Sequence, residues 1–187
     1  MPSGTFISFE GPDGSGKTTL LKRVAKTLED QMGASSVLVT REPGGDPLAE
    51  KIRDLLFDDQ FAGMDGRTEA LLFAAARRQH LIQDVNPALE AGKVVLCDRF
   101  VDSSVAYQGA GRGIGEKDVW DLNQFAIHGE LPQLTIYLDL PVEVGIERIK
   151  KHRQNQVNRL DREQLAFHRT VRQGYLHLAK LYPSRIA

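Results

Sequence analysis

The run Phe6-Ile7-Ser8-Phe9-Glu10-Gly11-Pro12-Asp13-Gly14-Ser15-Gly16-Lys17-Thr18-Thr19 constrains this chain more than any other stretch. A short β-branched and aromatic segment leads into Gly-x-x-x-x-Gly-Lys-Thr, and a helical pattern from Thr19 to Leu28 follows at once. Strand, glycine loop and helix in that order make a phosphate-binding loop, here residues 11–18. Gly11, Gly14 and Gly16 let the backbone curl so that successive N–H groups face phosphate oxygens. A helix opening near Lys17 adds the positive end of its dipole at the same spot. Lys17 is placed to reach the β- and γ-phosphates, and the Thr18 hydroxyl to take one position on Mg²⁺. The segment Gly11, Pro12, Asp13, Gly14, Ser15, Gly16, Lys17, Thr18 and Thr19 therefore predicts binding of a nucleoside triphosphate.

With 187 residues, one domain spanning 1–187 is the natural expectation. A net charge of −1 gives no general electrostatic case for nucleic acid or an acidic membrane surface. The single cysteine, Cys97, lies in the apolar run Val94-Val95-Leu96-Cys97, which predicts a buried, inert thiol. One cysteine makes no internal disulfide, which fits a reducing cytoplasm. Nothing near Met1 resembles a signal peptide, and no apolar run approaches the length needed to cross a membrane.

The remaining segments alternate. Ser36 to Thr40 reads as a buried strand, followed by the turn-rich Arg41-Glu42-Pro43-Gly44-Gly45. Asp46-Pro47 caps a helix from Leu48 to Phe57, with Leu48, Ile52, Leu55 and Leu56 expected inward and Arg53 on its surface or in a site. A longer helix is expected from Arg67 to about Asp84, with Leu71, Ala74, Ala75 and Leu81 toward the core. Phe73, Arg77 and His80 form the neighbouring stripe. The apolar run from Lys93 predicts a central strand ending at Asp98, where a carboxylate holds Mg²⁺ directly or through water. Arg99 beside it suits a second phosphate, because its fork matches two phosphate oxygens; a strand-end salt bridge is the plainer alternative.

Asp102 to Gln108 begins another helix whose polar residues are expected at the same edge as Asp98, and Lys117 to His128 a further one with Trp120 in the core. Gln133 to Asp139 reads as the fourth strand, a helix follows from Val142, and Asp161 to Tyr182 is expected as the last helix, with Leu165, Tyr175, Leu178 and Leu181 inward. Between these helices the stretch 148–162 is rich in Arg and Lys, a solvated face or a lid whose arginines close over a transferring phosphoryl group. The order of elements predicts an α/β fold of the P-loop NTPase type: a doubly wound, mostly parallel sheet with helices on both faces and a helical lid. No Asn-Lys-x-Asp segment is present, which argues against a switch GTPase.

These motifs resemble the thymidylate kinase family. The matching pieces are Phe9 to Thr19, Thr40-Arg41-Glu42-Pro43-Gly44-Gly45, Phe73-Ala74-Ala75-Ala76-Arg77, Asp98-Arg99-Phe100, Ser103-Ser104-Val105-Ala106-Tyr107-Gln108-Gly109 and Asp161-Arg162, in the family's order over nearly the whole chain. The resemblance implies ATP-dependent phosphorylation of dTMP to dTDP with Mg²⁺, in a cytoplasmic homodimer. It implies that Phe73 stacks on thymine, that Arg77 donates to the base carbonyl O4, and that Ser104 and Gln108 complete the base edge. It implies Arg53 and Arg99 on the dTMP phosphate, Asp13 near the 3′-hydroxyl, Tyr107 crowding the 2′ position, and Glu42 holding the base-side segment or a metal-bound water.

Catalysis is then alignment and charge neutralisation by Lys17, Mg²⁺ (at Thr18 and Asp98), Arg99 and an arginine of the lid. The variable loop positions Pro12 to Ser15 carry no basic residue, so the resemblance puts the catalytic arginine in the lid, Arg153 first, then Arg148 and Arg159. It also implies a further strand and helix after the stretch Pro183 to Ala187. The residue chemistry alone leaves open a kinase for another nucleotide or deoxynucleoside, or a binding module that has lost transfer.

Overall fold

The computed structural model describes residues 4–152, 160 and 163–187. Four strands, β1 (Thr5–Glu10), β2 (Val37–Arg41), β3 (Val94–Asp98) and β4 (Leu134–Tyr137), form one parallel sheet in the order β2-β3-β1-β4. Among the described residues the helices are α1 (Lys17–Met32), α2 (Pro47–Phe57), α3 (Gly66–His80), α4 (Asn86–Glu90), α5 (Val101–Ser104), α6 (Glu116–Ile127), α7 (Val142–His152) and α8 (Leu165–Leu181). The expected doubly wound parallel α/β fold is the observed one.

Alternation along the strands decides what each face buries. Phe9 and Leu96 turn to Leu21 and Ala25 of α1 on one side of the sheet. Phe6, Val95 and Cys97 turn to the other side, against Leu81, Val85, Leu89 and Ile127. The two central strands, β1 and β3, are covered on both faces and read as continuous apolar runs. The expected buried strand at Ser36 to Thr40 is instead the edge strand β2, which has no buried residue and leaves Val39 exposed. The register pairs Phe9 with Asp98, which brings the phosphate loop and the end of β3 side by side at the carboxyl edge. That edge is where open parallel sheets bind ligands.

Several expected faces are rotated. In α2 the buried residues are Ala49 and Leu56, while Leu48 and Leu55 are exposed. In α3 the Phe73–Arg77–His80 stripe is itself the buried one, and Leu71 and Ala75 face outward. Leu165 and Leu181 of α8 are also exposed, with Tyr175 and Leu178 inward as expected. Helical spacing marks a stripe, but neighbouring helices choose which stripe is covered. Trp120 is half-buried and stacks on Tyr182, with ring centroids 5.4 Å apart.

Asp102 does not face the site edge. It is buried and takes a bidentate ion pair from Arg185, at 2.6 and 2.8 Å. Beyond α8, Ile186 lies parallel to β4 opposite Thr135. Two π-helical stretches, Leu81–Val85 and Val105–Gly111, interrupt otherwise helical runs. The second carries Tyr107 and Gln108, and such bulges recur where side chains are re-aimed at a site.

Candidate active site

One cavity of about 770 Å³ opens at the carboxyl edge of the sheet. Asp13, Gly14, Gly16, Lys17, Thr18, Thr19, Glu42, Arg53, Phe73, Arg77, Asp98, Arg99, Ser104, Tyr107 and Gln108 line it together. Gly11, Pro12 and Ser15 belong to the loop but not to the wall. Arg153 and Arg159 lie outside the described residues, as do Asp161 and Arg162.

The loop takes its shape from its glycines: Gly11, Gly14 and Gly16 have φ of 136°, 77° and 96°. Gly14 also has no room for a side chain, since a Cβ there meets the Gly145 carbonyl oxygen of α7 at 2.4 Å. The loop and α7 thus touch backbone to backbone. Lys17 opens α1 and donates to the Gly11 and Pro12 carbonyls at 2.9 and 3.0 Å, so its ammonium sits over the loop mouth. Burial, reinforced by nearby Arg99, pushes the Lys17 ammonium down to about 8. The Thr18 hydroxyl donates to Asp98 Oδ2 at 2.6 Å. A hydroxyl and a carboxylate that close, beside a phosphate loop, are the hard oxygen donors Mg²⁺ takes alongside nucleotide phosphates. Among the described residues no cluster of three acidic, His or Cys side chains offers an all-protein metal cage.

Arg99 joins the loop to the rest of the cavity. Its φ is 74°, an uncommon backbone for a side-chain-bearing residue. The turn is held by Arg99 N–H donating to the Phe9 carbonyl at 2.9 Å and Phe100 N–H donating to Glu10 at 2.6 Å. Its guanidinium donates to Asp13 Oδ1 at 2.8 Å, to the Gly11 carbonyl at 3.1 Å and to the hydroxyls of Ser103, Tyr107 and Tyr175. Burial alone would raise the Asp13 carboxyl. Arg99, Lys17 and the Tyr107 hydroxyl outweigh it and hold the group well below the usual carboxylate range.

Beneath Arg99 lies Glu10, fully buried, accepting from Phe100 N–H, from Ser103 Oγ at 2.6 Å and from Tyr175 at 2.9 Å. Burial, and after it the charge of Asp102, pushes Glu10 up to about 7. Neither Glu10 nor Tyr175 was singled out by the sequence pattern. Glu10 reads there as the last residue of a strand, and Tyr175 as core of a distant helix.

At the other end, Arg77 is almost fully committed. It donates from Nε to Glu42 at 2.7 Å, from Nη1 to Ser104 at 3.1 Å and to Asn123, and from Nη2 to the Phe100 carbonyl at 3.1 Å. A guanidinium has one more N–H than these bonds use. Glu42, buried, spends its second oxygen on His80 at 3.0 Å, and His80 in turn reaches Thr40. Glu42 therefore orients Arg77. Phe73 packs with Leu56 and Leu160, the latter within the 148–162 segment. Arg53 donates to the Pro43 carbonyl at 2.8 Å and lies over the Phe57 ring. Arg148 of α7 lines the cavity and donates to the Gly14 carbonyl at 3.2 Å.

A phosphate loop with Lys17 at its mouth, a hydroxyl–carboxylate pair beside it and an arginine at the same sheet edge make the site of a P-loop phosphotransferase. The sequence profile described as thymidylate kinase matches residues 9–187. A thymidylate kinase of Limosilactobacillus reuteri is 64% identical over 183 residues, covering 98% of this chain and 86% of that protein. One of Geobacillus thermodenitrificans is 55% identical, covering 98% and 81%. A crystal structure of thymidylate kinase from Ehrlichia chaffeensis superimposes with a TM-score of 0.82 at 38% identity, over 100% of this chain and 92% of that one. The chain belongs to the thymidylate kinase family.

Proposed function

We infer that this protein transfers the γ-phosphoryl group of ATP to dTMP, giving dTDP and ADP, and that the cavity divides the two nucleotides between its ends. The observation that carries this reading is Arg99, strained at the strand end and shared between the phosphate loop and the compartment walled by Phe73, Arg77 and Gln108. The ATP phosphates lie in the 11–18 loop under Lys17, with Thr18 and Asp98 as the residues that would hold Mg²⁺. That ion would neutralise charge on the β- and γ-phosphates.

In the second compartment Phe73 stacks on thymine and the remaining Nη2–H of Arg77 donates to O4. Gln108 and Ser104 finish the base edge. Asp13 takes the 3′-hydroxyl and Tyr107 closes the 2′ position. Arg53 and Arg99 grip the acceptor phosphate, Arg99 by exchanging its bonds to Asp13 and the hydroxyls for phosphate oxygens. The acceptor is already anionic, so these residues align it and neutralise charge, and no general base is required. Of the arginines of the lid, Arg148 already touches the loop; Arg153 is proposed as the catalytic one.

Among the described residues no helix is long and apolar enough to cross a membrane, and we place the enzyme in the cytoplasm. We further propose a homodimer through α3 and α6. These pack together and leave Leu71 and Phe125 exposed at 55% and 89%. Sedimentation of the wild type against Phe125→Asp tests it: a monomeric wild type overturns the proposal.

The function itself is tested by ADP release with ATP·Mg²⁺ and dTMP, dUMP, dCMP, dGMP or thymidine as acceptor. Strong preference for dTMP is expected. Preference for dCMP or thymidine would mean the base compartment is misassigned. In the same assay Arg153→Ala should lower kcat far more than it raises the dTMP KM, and a normal kcat would move the role to Arg148 or Arg159.

A further inference from the structure

Behind Gln108, outside the cavity wall, lies a buried carboxylate that the sequence pattern did not mark. Glu69, in the first turn of α3, has no exposed surface. It accepts from the Gln108 side-chain Nε2 at 2.8 Å, and from Arg112 at 3.3 Å through Nε and through Nη2. Arg112 is fixed in turn by Glu163 at 2.6 Å and by the Phe167 ring beneath its guanidinium.

An amide side chain has a donating end and an accepting end, and which end points where must follow from its neighbours. A carboxylate paired with a guanidinium accepts only, so the NH₂ of Gln108 has to face Glu69. Gln108 is 1% exposed and lines the cavity, yet its amide oxygen is neither bonded within the described residues nor an enclosed orphan. That oxygen therefore borders the cavity.

We propose that Glu69 is a specificity-determining positioning residue: it locks the Gln108 amide with its oxygen toward the base, so that the site selects a pyrimidine carrying a ring N–H. Thymine and uracil present N3–H there and donate to the oxygen. Cytosine presents a bare ring nitrogen, and two lone pairs meet. The proposal rests on the base site inferred above. It assigns the discrimination not to Gln108 alone, which in isolation accepts either pattern, but to the buried Glu69 carboxylate behind it, held by the partly exposed Arg112. Leaving a polar group facing a partner of the wrong sense is costly in a buried site, so the discrimination is built in before the substrate arrives.

The test compares dissociation constants of dTMP, dUMP and dCMP, by competition with a labelled nucleotide, in wild type, Glu69→Gln, Gln108→Leu and the double variant. Ratios of constants do not depend on the fraction of protein that is folded. Glu69→Gln offers Gln108 a neighbour that donates as well as accepts, which frees the amide to turn over. The dCMP-to-dTMP ratio should then shrink about tenfold, the worth of one re-aimed hydrogen bond, while the dUMP-to-dTMP ratio stays put. In the Gln108→Leu background, Glu69→Gln should add nothing.

If Glu69→Gln shifts both ratios alike or neither, while Gln108→Leu still narrows the dCMP ratio, the role given to Glu69 is overturned and the base site stands. If Gln108→Leu leaves that ratio untouched, the base-site reading fails and the proposal with it. Should Glu69→Gln not fold, Glu69→Gln/Arg112→Met removes the guanidinium along with the carboxylate it faces and carries the same expectation.

Discussion

Arg77 and Glu42 at one end of the cavity are each 2% exposed, whereas Arg99 and Asp13 at the other keep 17% and 21%. Both are arginine–carboxylate pairs at similar distance, 2.7 and 2.8 Å, but they are set differently. Arg77 is wedged among Glu42, Ser104, Asn123 and a main-chain carbonyl, with one N–H left over. Arg99 instead donates to a carboxylate, three hydroxyls and the Gly11 carbonyl at a partly exposed position. A rigid cation with a single N–H to spare is suited to reading a base, since any wrong partner faces a group that cannot move. A cation with exchangeable partners is suited to following a phosphate that changes charge during transfer.

The largest expected effects separate the two pairs. Arg99→Met should lower kcat about 1000-fold, measured as ADP release at saturating dTMP, with only about 1–2 kcal/mol lost in urea unfolding, because Asp13 regains water. Arg77→Met should cost about 3–5 kcal/mol of stability, because buried Glu42, Ser104 and Asn123 all lose the guanidinium they share. Equal stability losses in the two variants would break the distinction.

A smaller effect concerns pH. Glu10 ionises near 7 in the folded protein against an ordinary value of 4.5, so the native state keeps a proton the unfolded chain has shed. The stability it contributes is fully present below about pH 4.5 and is lost as pH rises toward 7, a decline of about 3 kcal/mol. Asp13 has the opposite sign: its depressed carboxyl contributes stability above the ordinary carboxylate range that is lost on acidification. Urea unfolding at pH 5 and pH 8 should show the Glu10 slope in the wild type and lose it in Glu10→Gln. A slope that survives the substitution would show that another group carries it.

The smallest expected change is at Tyr107, whose hydroxyl donates to Asp13 Oδ2 at 2.7 Å. Tyr107→Phe removes one charge-assisted bond on the exchangeable side. It should raise the dTMP KM several-fold, equivalent to about 1 kcal/mol, and narrow the preference for deoxyribose over ribose acceptors. An unchanged preference would remove Tyr107 from sugar recognition.

Much of the cavity was legible in the chain. Residues 11–18 can form little other than a phosphate loop, and Asp98-Arg99 at the end of an apolar run places a carboxylate and a guanidinium at the sheet edge. Phe73 and Arg77, four residues apart on one helix, had to share a face. What was misread followed from the same logic carried too far. Leu71 and Ala75 satisfy a helical stripe as well as Ala70, Phe73 and Ala74 do, and only the packing of α2 and α6 decides which stripe is covered. Asp102 has the spacing of a site residue, but Arg185, 83 positions later, claims it.

By itself, then, the sequence determined the local objects: a glycine loop that must curl, a central strand that must be buried on both faces, and a helix that begins at Lys17. It did not determine which polar atoms meet across the fold. Glu69 and Gln108 are 39 residues apart, Ser103 and Tyr175 are 72, and Glu10 and Tyr175 are 165. Local patterns act over a turn of helix or a pair of strand residues. The sense of a buried amide or the protonation of a buried carboxylate depends on whichever charge the finished packing sets against it.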